Sequence, residues 1–312
     1  MTILALSGLI RPLLEPRLPK DLDVRWFMTK DEALAAVPDA EIGWFDMYEQ
    51  DAMAQTLRAA TSLKWLNSIY AGLDFLPMDV LIERGITVTN GAGINALTIA
   101  EYVVMGMLNV AKGYPKVLEA AQKREWLQDS PGKRELAGSK ALLLGFGAIG
   151  QLIKPRLEAF DVDVTVVRRT PGEGVLTPDQ WRARLGEFDW VILVVPATPE
   201  TDGMIGADEI AAMKQDAVLL NFARGAVVDQ AALTGALQEK RIGGAWLDVT
   251  TPEPLPPEDP LWGLDNAHIS MHLSGRAQDK MFFRSAERFL NNLDRYLKGE
   301  PVAPVFDPRL GY

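Results

Sequence analysis

Three side chains could share one reaction. Arg224 lies in NFARGAVVD, Glu253 in LDVTTPEP and His272 in ISMHLSG, each just after an apolar run of strand character. Hydride transfer to a 2-keto acid needs a cation to hold the carboxylate and polarise the carbonyl. It needs an acid to protonate the oxygen as the hydride arrives, and a carboxylate beside that acid to keep it protonated and oriented. Arg224, His272 and Glu253 supply these in turn. Histidine suits the acid's part because imidazole titrates near neutrality. Each residue also has a plainer reading. A loop histidine is usually a satisfied polar group, as His268 is expected to be. Arg224 could cap a turn, and Glu253, between Pro252 and Pro254, could be a solvated charge. Their joint placement behind one sheet favours function, since ligands of doubly wound folds bind at the carboxyl ends of the strands.

A hydride needs a carrier, and GFGAIG has the pattern of a site for one. Gly145, Phe146, Gly147, Ala148, Ile149 and Gly150 follow the apolar strand Ala141–Leu144 and open a helical pattern. Gly145 permits a tight turn, Gly147 lets backbone approach a pyrophosphate, and Gly150 lets helix and strand pack closely. A tight turn with no ligand is the competing reading. An NAD site usually places Asp or Glu at the end of the next strand, to bond the ribose. Here that end reads Val166-Val167-Arg168-Arg169-Thr170. Two guanidinium groups suit the 2′-phosphate of NADP, because planar donors bind two oxygens at once. NADP (as NADPH) is therefore the expected cofactor, with NAD possible.

Composition limits the alternatives. The chain has 312 residues, 48% of them hydrophobic, with a net charge of −10. That is enough chain for two domains with sizeable cores. The acidity repels nucleic-acid phosphates, so no nucleic-acid partner is expected. Without cysteine, disulfides, thiolate zinc sites and cysteine nucleophiles are excluded, and two histidines make a metal site unexpected. The N-terminal MTILALSGLI reads as a first strand rather than a signal peptide. No stretch approaches the apolar length that spans a bilayer; the one around Tyr102–Val110 is flanked by Glu101 and Lys112. A soluble cytoplasmic protein without a membrane partner is expected.

These groups must be positioned by alternating strands and helices. Ile3–Leu6, Val24–Phe27, Ile42–Phe45, Leu63–Ile69 and Ile86–Val88 read as buried strands, with helices at Asp51–Ala60 and Pro77–Arg84, the latter with proline in its first turn. A long helix follows, with Thr98 and Glu101 at capping-box spacing or Asn95 as the cap. The second series has strands at Ala141–Leu144, Val162–Val167, Trp190–Val195, Ala217–Asn221, Ala245–Val249 and Ala267–Ser270. Its helices are Ile149–Phe160, Asp208–Lys214 and one capped by Asp229 that runs to about Lys240, and Ala277–Leu297 reads as a final long helix. The fold class is α/β.

The order and spacing of these motifs resemble the D-isomer-specific 2-hydroxyacid dehydrogenase family, nearest its glyoxylate/hydroxypyruvate reductase branch. The matching pieces are GFGAIG, VVPATPET (Val194–Thr201), NFARGAVVD (Asn221–Asp229), LDVTTPEPLP (Leu247–Pro256), the His272 segment and the ending Gly311-Tyr312. The resemblance implies a Rossmann-type doubly wound parallel sheet, residues 101–275, inserted into a second, smaller flavodoxin-like α/β substrate domain, residues 1–100 and 276–312. Helices near 96–122 and 277–297 would be the crossings, and the protein would be a homodimer. It implies catalysis by Arg224, Glu253 and His272, with Arg224 and His272 also facing the cofactor. Backbone amides near Ala71 and Gly72, preceded by Tyr70 in SIYAGLD, would hold the substrate carboxylate. Asp248 would bond the nicotinamide carboxamide, while Val195, Pro196, Thr201, Ala223 and Ser274 would line the cofactor. The chain departs from the family at Ser270-Met271, where Thr-Pro is usual, at Phe222 and at Tyr70. Related scaffolds suggest two alternatives. One is a phosphite-type dehydrogenase; the formate type uses Gln–His, against which Glu253 argues. The other is a dinucleotide-sensing binding protein, like the C-terminal-binding-protein co-repressors.

Overall fold

Strands that are apolar on both sides must be covered on both faces, and both sheets of this protein are. A computed structural model describes residues 1–309 except Tyr48, Asp74, Pro171 and Glu173, so the ending Gly311-Tyr312 lies outside the described residues. The elements run β1 (Ile3–Ser7), α1 (Arg11–Leu14), β2 (Asp23–Phe27), α2 (Lys30–Ala36), β3 (Ile42–Trp44), α3 (Gln50–Ala59), β4 (Trp65–Asn67), α4 (Met78–Glu83) and β5 (Thr87–Thr89). There follow α5 (Ala96–Lys112), α6 (Tyr114–Lys123), β6 (Lys140–Leu144), α7 (Ala148–Glu158), β7 (Asp163–Val167), β8 (Val175–Leu176) and β9 (Trp190–Leu193). The chain ends with α8 (Ala207–Ala212), β10 (Val218–Asn221), α9 (Gln230–Gln238), β11 (Gly244–Leu247), β12 (Ala267–Ile269), α10 (Met281–Leu297) and β13 (Val305–Phe306).

The chain divides into two units, residues 1–95 with 278–312, and residues 96–277. In the first, the sheet order is β13-β5-β4-β3-β1-β2. Its parallel strands follow the flavodoxin-like order, with β13 added antiparallel on β5. One face packs Leu4, Leu6, Trp44 and Trp65 against Phe289 of α10, the other packs Leu66 and Val88 against Leu57 and Leu81. Helix α10 is strongly amphipathic. Its buried Ser285, Ala286, Phe289, Asn292 and Leu293 recur at helical spacing.

In the second unit the order is β12-β11-β10-β9-β6-β7-β8, all parallel. This is the Rossmann order extended by one strand, and it reverses between β6 and β9. Strand β9 shows the two-sided burial: Val191 and Leu193 enter one core, Trp190 and Ile192 the other.

The chain passes between the units at Asn95–Ala96 and Ala277–Gln278; α5 begins at Ala96 and buries Ala100, Val103, Met107 and Ala111 with Ile153 and Leu157 of α7. Several expectations need correction. Thr98 does not cap that helix; it lies inside it and donates its hydroxyl to Ala277 O, 3.0 Å. The helix expected through residue 122 breaks at Gly113, which is left-handed at φ 59°. Pro77 stands at the cap of α4 rather than inside its first turn. The last helix starts at Met281, not Ala277. Helix α2, with a full capping box of Thr29 and Glu32, was not anticipated.

Candidate active site

Strands β10, β11 and β12 lie side by side and end level. Asn221 pairs with Leu247, and Leu247 with Ile269. The ladder continues one step beyond them, with Asp248 N donating to Asn221 O (3.0 Å) and Ser270 N to Leu247 O (2.9 Å). Arg224, Glu253 and His272 thus leave from three neighbouring strand ends.

Each loop is fixed by its own small set of bonds. After β10, Asn221 Nδ2 donates to Arg224 O (3.0 Å), and Ala223 N donates to Asn221 Oδ1 (3.0 Å). Arg224 is half-buried, with Nη1 on Ala223 O at 2.8 Å. Gly225 must be glycine, since a Cβ there would stand 2.0 Å from Thr250 O. That contact ties the Arg224 loop to the Glu253 loop. Thr251 N donates to Gln230 Oε1 on α9 at 2.8 Å, which pins the second loop again.

Glu253 then joins the second loop to the third. Its Oε1 accepts from Thr250 N (3.1 Å), and its Oε2 lies 2.7 Å from His272 Nδ1. His272 sits at φ 54° and Met271 at φ 53°. Proline cannot adopt that backbone, which accounts locally for methionine where the resembled family has proline. Below them, Asp248 is buried. Its carboxylate accepts from Ser270 Oγ (2.8 Å), Ser274 N (3.2 Å) and Ser274 Oγ, and its own carbonyl accepts from His272 N at 2.5 Å. Asp248 and Ser274 therefore brace the histidine turn.

The GFGAIG turn sits where the sheet order reverses. Gly145 has φ 104°, and a Cβ on it would meet Val194 O at 2.7 Å; a Cβ on Gly150 would meet Gly145 O at 2.4 Å. Gly147 is the opposite case, exposed and with nothing within 4 Å of a Cβ. Phe146 and Ile149 are half-buried, while Ala148 is exposed at the start of α7, which has no side-chain cap. Open space above Gly147 fits a pyrophosphate held by the helix amides. At the end of β7, Arg168 is half-buried and its Nε has no hydrogen-bond partner among the described residues, an orphaned donor that fits an anion. Arg169 and Thr170 are exposed. Glu200 is held below the ordinary carboxylate range, mainly by the Thr198 hydroxyl and in smaller part by Arg169.

The D-isomer specific 2-hydroxyacid dehydrogenase NAD-binding domain model matches residues 104–274. The chain belongs to that family. It is 32% identical over 287 residues to the glyoxylate reductase of Thermofilum pendens, covering 88% of this chain and 84% of the relative. A family structure from Aeromonas salmonicida is 30% identical and superposes with a TM-score of 0.86, over 98% of this chain and 99% of that one. An NADPH-dependent glyoxylate/hydroxypyruvate reductase of Sinorhizobium meliloti is 26% identical, with a TM-score of 0.81 over 99% and 98%. The chain spans about half the length (50% and 54%) of the D-3-phosphoglycerate dehydrogenases of Archaeoglobus fulgidus and Methanocaldococcus jannaschii that it also matches.

The remaining residues of interest for this 2-hydroxyacid dehydrogenase family member divide by unit. In the second unit, Val195 is half-buried and Pro196 exposed after β9, while Thr201 knits the turn by donating to Pro196 O at 2.7 Å. Ala223 and Phe222 are buried in the two cores, so Phe222 is a packing residue. His268 lies partly buried 5.6 Å from the Trp246 ring, its pKa pushed down chiefly by that burial. Among the described residues no group of three acidic, histidine or cysteine side chains could hold a metal, and no helix is long and apolar enough to cross a membrane. Tyr70, Ala71 and Gly72 lie in the first unit, after β4. Tyr70 donates its hydroxyl to Met47 O (3.3 Å) and sets its ring edge-on to Phe75. Among the described residues, the amides of Ala71 and Gly72 donate to no protein acceptor.

Sequence reasoning passed over Asn221, Gln230 and Asp46. Asn221 carried a signal, an asparagine at a strand end closing its own turn. Gln230 and Asp46 carried none: Gln230 meets Thr251 21 residues on, and Asp46, besides its near neighbour Trp44, meets Ser68 and Ile69 22 and 23 residues on.

Proposed function

We propose that this protein is an NADPH-dependent reductase of a small 2-keto acid, of the glyoxylate/hydroxypyruvate type, giving the D-2-hydroxy acid. The observation that carries this reading is the Glu253–His272 pair at 2.7 Å, beside the strand end that bears Arg224. With Nδ1 engaged by Glu253, the imidazole keeps Nε2 for the substrate. When bound, the reduced nicotinamide supplies the hydride. Arg224 holds the keto acid's carboxylate and draws electron density toward its carbonyl oxygen. His272 Nε2 passes its proton to that oxygen, and Glu253 steadies the imidazolium beforehand. The amides of Ala71 and Gly72 are proposed as further carboxylate donors, and Asp248 as the partner of the nicotinamide carboxamide. Val195, Pro196 and Thr201 are proposed to line the cofactor.

Arg168 and Arg169 are proposed to bind the 2′-phosphate, which the named cofactor of the Sinorhizobium meliloti relative supports. Replacing both by alanine should lower the NADPH-over-NADH ratio of kcat/KM by about tenfold or more for each charged hydrogen bond lost. An unchanged ratio would move the 2′-phosphate site elsewhere. A cytoplasmic homodimer is proposed with it. Tyr114 and Leu118 of α6, and Trp126 and Leu127 after it, expose apolar surface of the kind that partners cover. Sedimentation at micromolar concentration should give twice the chain mass, and the mass of one chain would reject the dimer.

The decisive test is loss of reduced-nicotinamide absorbance with a panel of 2-keto acids and both cofactors. Turnover of glyoxylate or hydroxypyruvate with NADPH is expected. No turnover across the panel would overturn the proposal, and tight cofactor binding without turnover would assign a sensing role instead.

A further inference from the structure

The proposed chemistry leaves one buried carboxylate unused. Asp46 follows β3 in the first unit, is 7% exposed, and has no cation beside it among the described residues. It accepts three hydrogen bonds instead. Trp44 Nε1 (2.5 Å) and Ile69 N (2.5 Å) reach Oδ2, and Ser68 Oγ (2.7 Å) reaches Oδ1. Tyr70 N in turn donates to Ser68 Oγ at 3.2 Å. Two consecutive amides, Ile69 directly and Tyr70 through the serine hydroxyl, are thereby drawn to one carboxylate.

The same turn is held from its other side. Gly91 N donates to Tyr70 O (2.8 Å), and Asn90 Nδ2 to Ala71 O (2.6 Å). A Cβ on Gly91 would stand 1.9 Å from Ile69 O, so the two backbones touch. Arg288 of α10 fixes that second segment through Asn90 O (3.1 Å) and Ala92 O (2.7 Å). Between these two grips, the amides of Ala71 and Gly72 are left without a protein acceptor among the described residues.

An ionised side chain is a costly way to hold a core together. Two-oxygen acceptance is what it adds: one carboxylate takes the Ile69 amide on Oδ2 and the Ser68 hydroxyl on Oδ1, whereas an asparagine of the same size has a single acceptor oxygen. We propose that Asp46 is a positioning residue for substrate, whose carboxylate sets the backbone of Ser68–Gly72 so that the Ala71 and Gly72 amides stand ready for a substrate carboxylate. This rests on the assignment of those amides made under Proposed function.

The test compares wild type with Asp46→Asn and Asp46→Ala. It measures kcat and KM for glyoxylate with NADPH, the NADPH Kd by fluorescence, and hydrogen–deuterium exchange of the peptide spanning residues 68–72. Asp46→Ala should raise KM about tenfold, the worth of one charge-assisted hydrogen bond, with kcat and the NADPH Kd within about twofold of wild type. Asparagine keeps one acceptor oxygen for Trp44 and Ile69, so it should restore part of the KM. Exchange at Ile69–Gly72 should quicken in both variants while the rest of the first unit keeps its protection. If Asp46→Ala does not fold, Asp46→Asn alone carries the comparison. Unchanged KM and exchange would overturn the proposal, as would equal losses in kcat, KM and cofactor affinity. If wild type reduces no keto acid, the substrate assignment falls, and the exchange comparison still decides whether Asp46 sets the turn.

Discussion

The side chains of His272 and Glu253 are 44% and 36% exposed, so the bond between them adds at most about 1 kcal/mol to folding. Its geometry serves orientation. His272→Ala should therefore leave the fold and the NADPH Kd nearly unchanged while lowering kcat by about 100- to 10,000-fold, the usual contribution of a positioned acid. Arg224→Ala should raise KM as well as lower kcat, because it removes both a carboxylate partner and a polarising charge. Steady-state kinetics and a fluorescence titration of cofactor separate the two patterns. Near-full turnover in His272→Ala would remove it from the role of acid.

At the scale of elements, the loops after β10 and β11 act as one piece, because Gly225 rests on Thr250. Gly225→Ala should lower the melting temperature and reduce kcat/KM together, since the methyl would drive backbone from backbone and shift both Arg224 and Glu253. A loss of about 1–3 kcal/mol is expected. Gly235→Ala is the contrast. It lies inside α9 with nothing within 4 Å of a Cβ, and should gain about 0.5–1 kcal/mol with activity unchanged. Thermal melts with parallel assays decide both. The difference between these glycines is not visible in the sequence. Local signals were legible: apolar strands, the Gly145–Gly150 turn, and the Asp229 cap, whose side chain accepts from Ala232 N. Signals that depend on a distant partner were not. Thr98 has capping-box spacing, but its hydroxyl finds Ala277 O, 179 residues on. The two-residue strand β13 is too short to show a period, and exists because β5 offers an edge. Glu253 and His272 could be placed behind one sheet, yet their bond across 19 residues depends on the loops after β11 and β12 folding to meet.

For the whole molecule, Asp46 makes stability depend on pH. Burial pushes its carboxyl up to about 6 from 3.8, while the Ile69 amide, the Ser68 hydroxyl and the Trp44 indole pull it back down. A raised folded-state pKa stabilises fully below the unfolded value and loses that contribution as pH rises through the folded one. The window is therefore 3.8 to about 6. Across it, the unfolding free energy of wild type should fall by about 3 kcal/mol relative to Asp46→Asn, which does not titrate. Urea midpoints of both proteins at intervals from pH 4 to 7 measure the difference; a flat difference would mean that native Asp46 is ionised throughout.

The split first unit also imposes an order on biosynthesis. Phe289 of α10 lies 5.1 Å from the Trp44 ring and 5.2 Å from the Trp65 ring, and β13 closes the β5 edge. None of these covering pieces exists when the ribosome has made residues 1–95. At a typical elongation rate near 10 residues per second, the nascent chain waits about 20 s while residues 96–277 are synthesised. The later-made unit holds all its own strands and can complete itself first. During that interval, a tryptophan-lined surface and an open strand edge are available to chaperones and to other nascent chains.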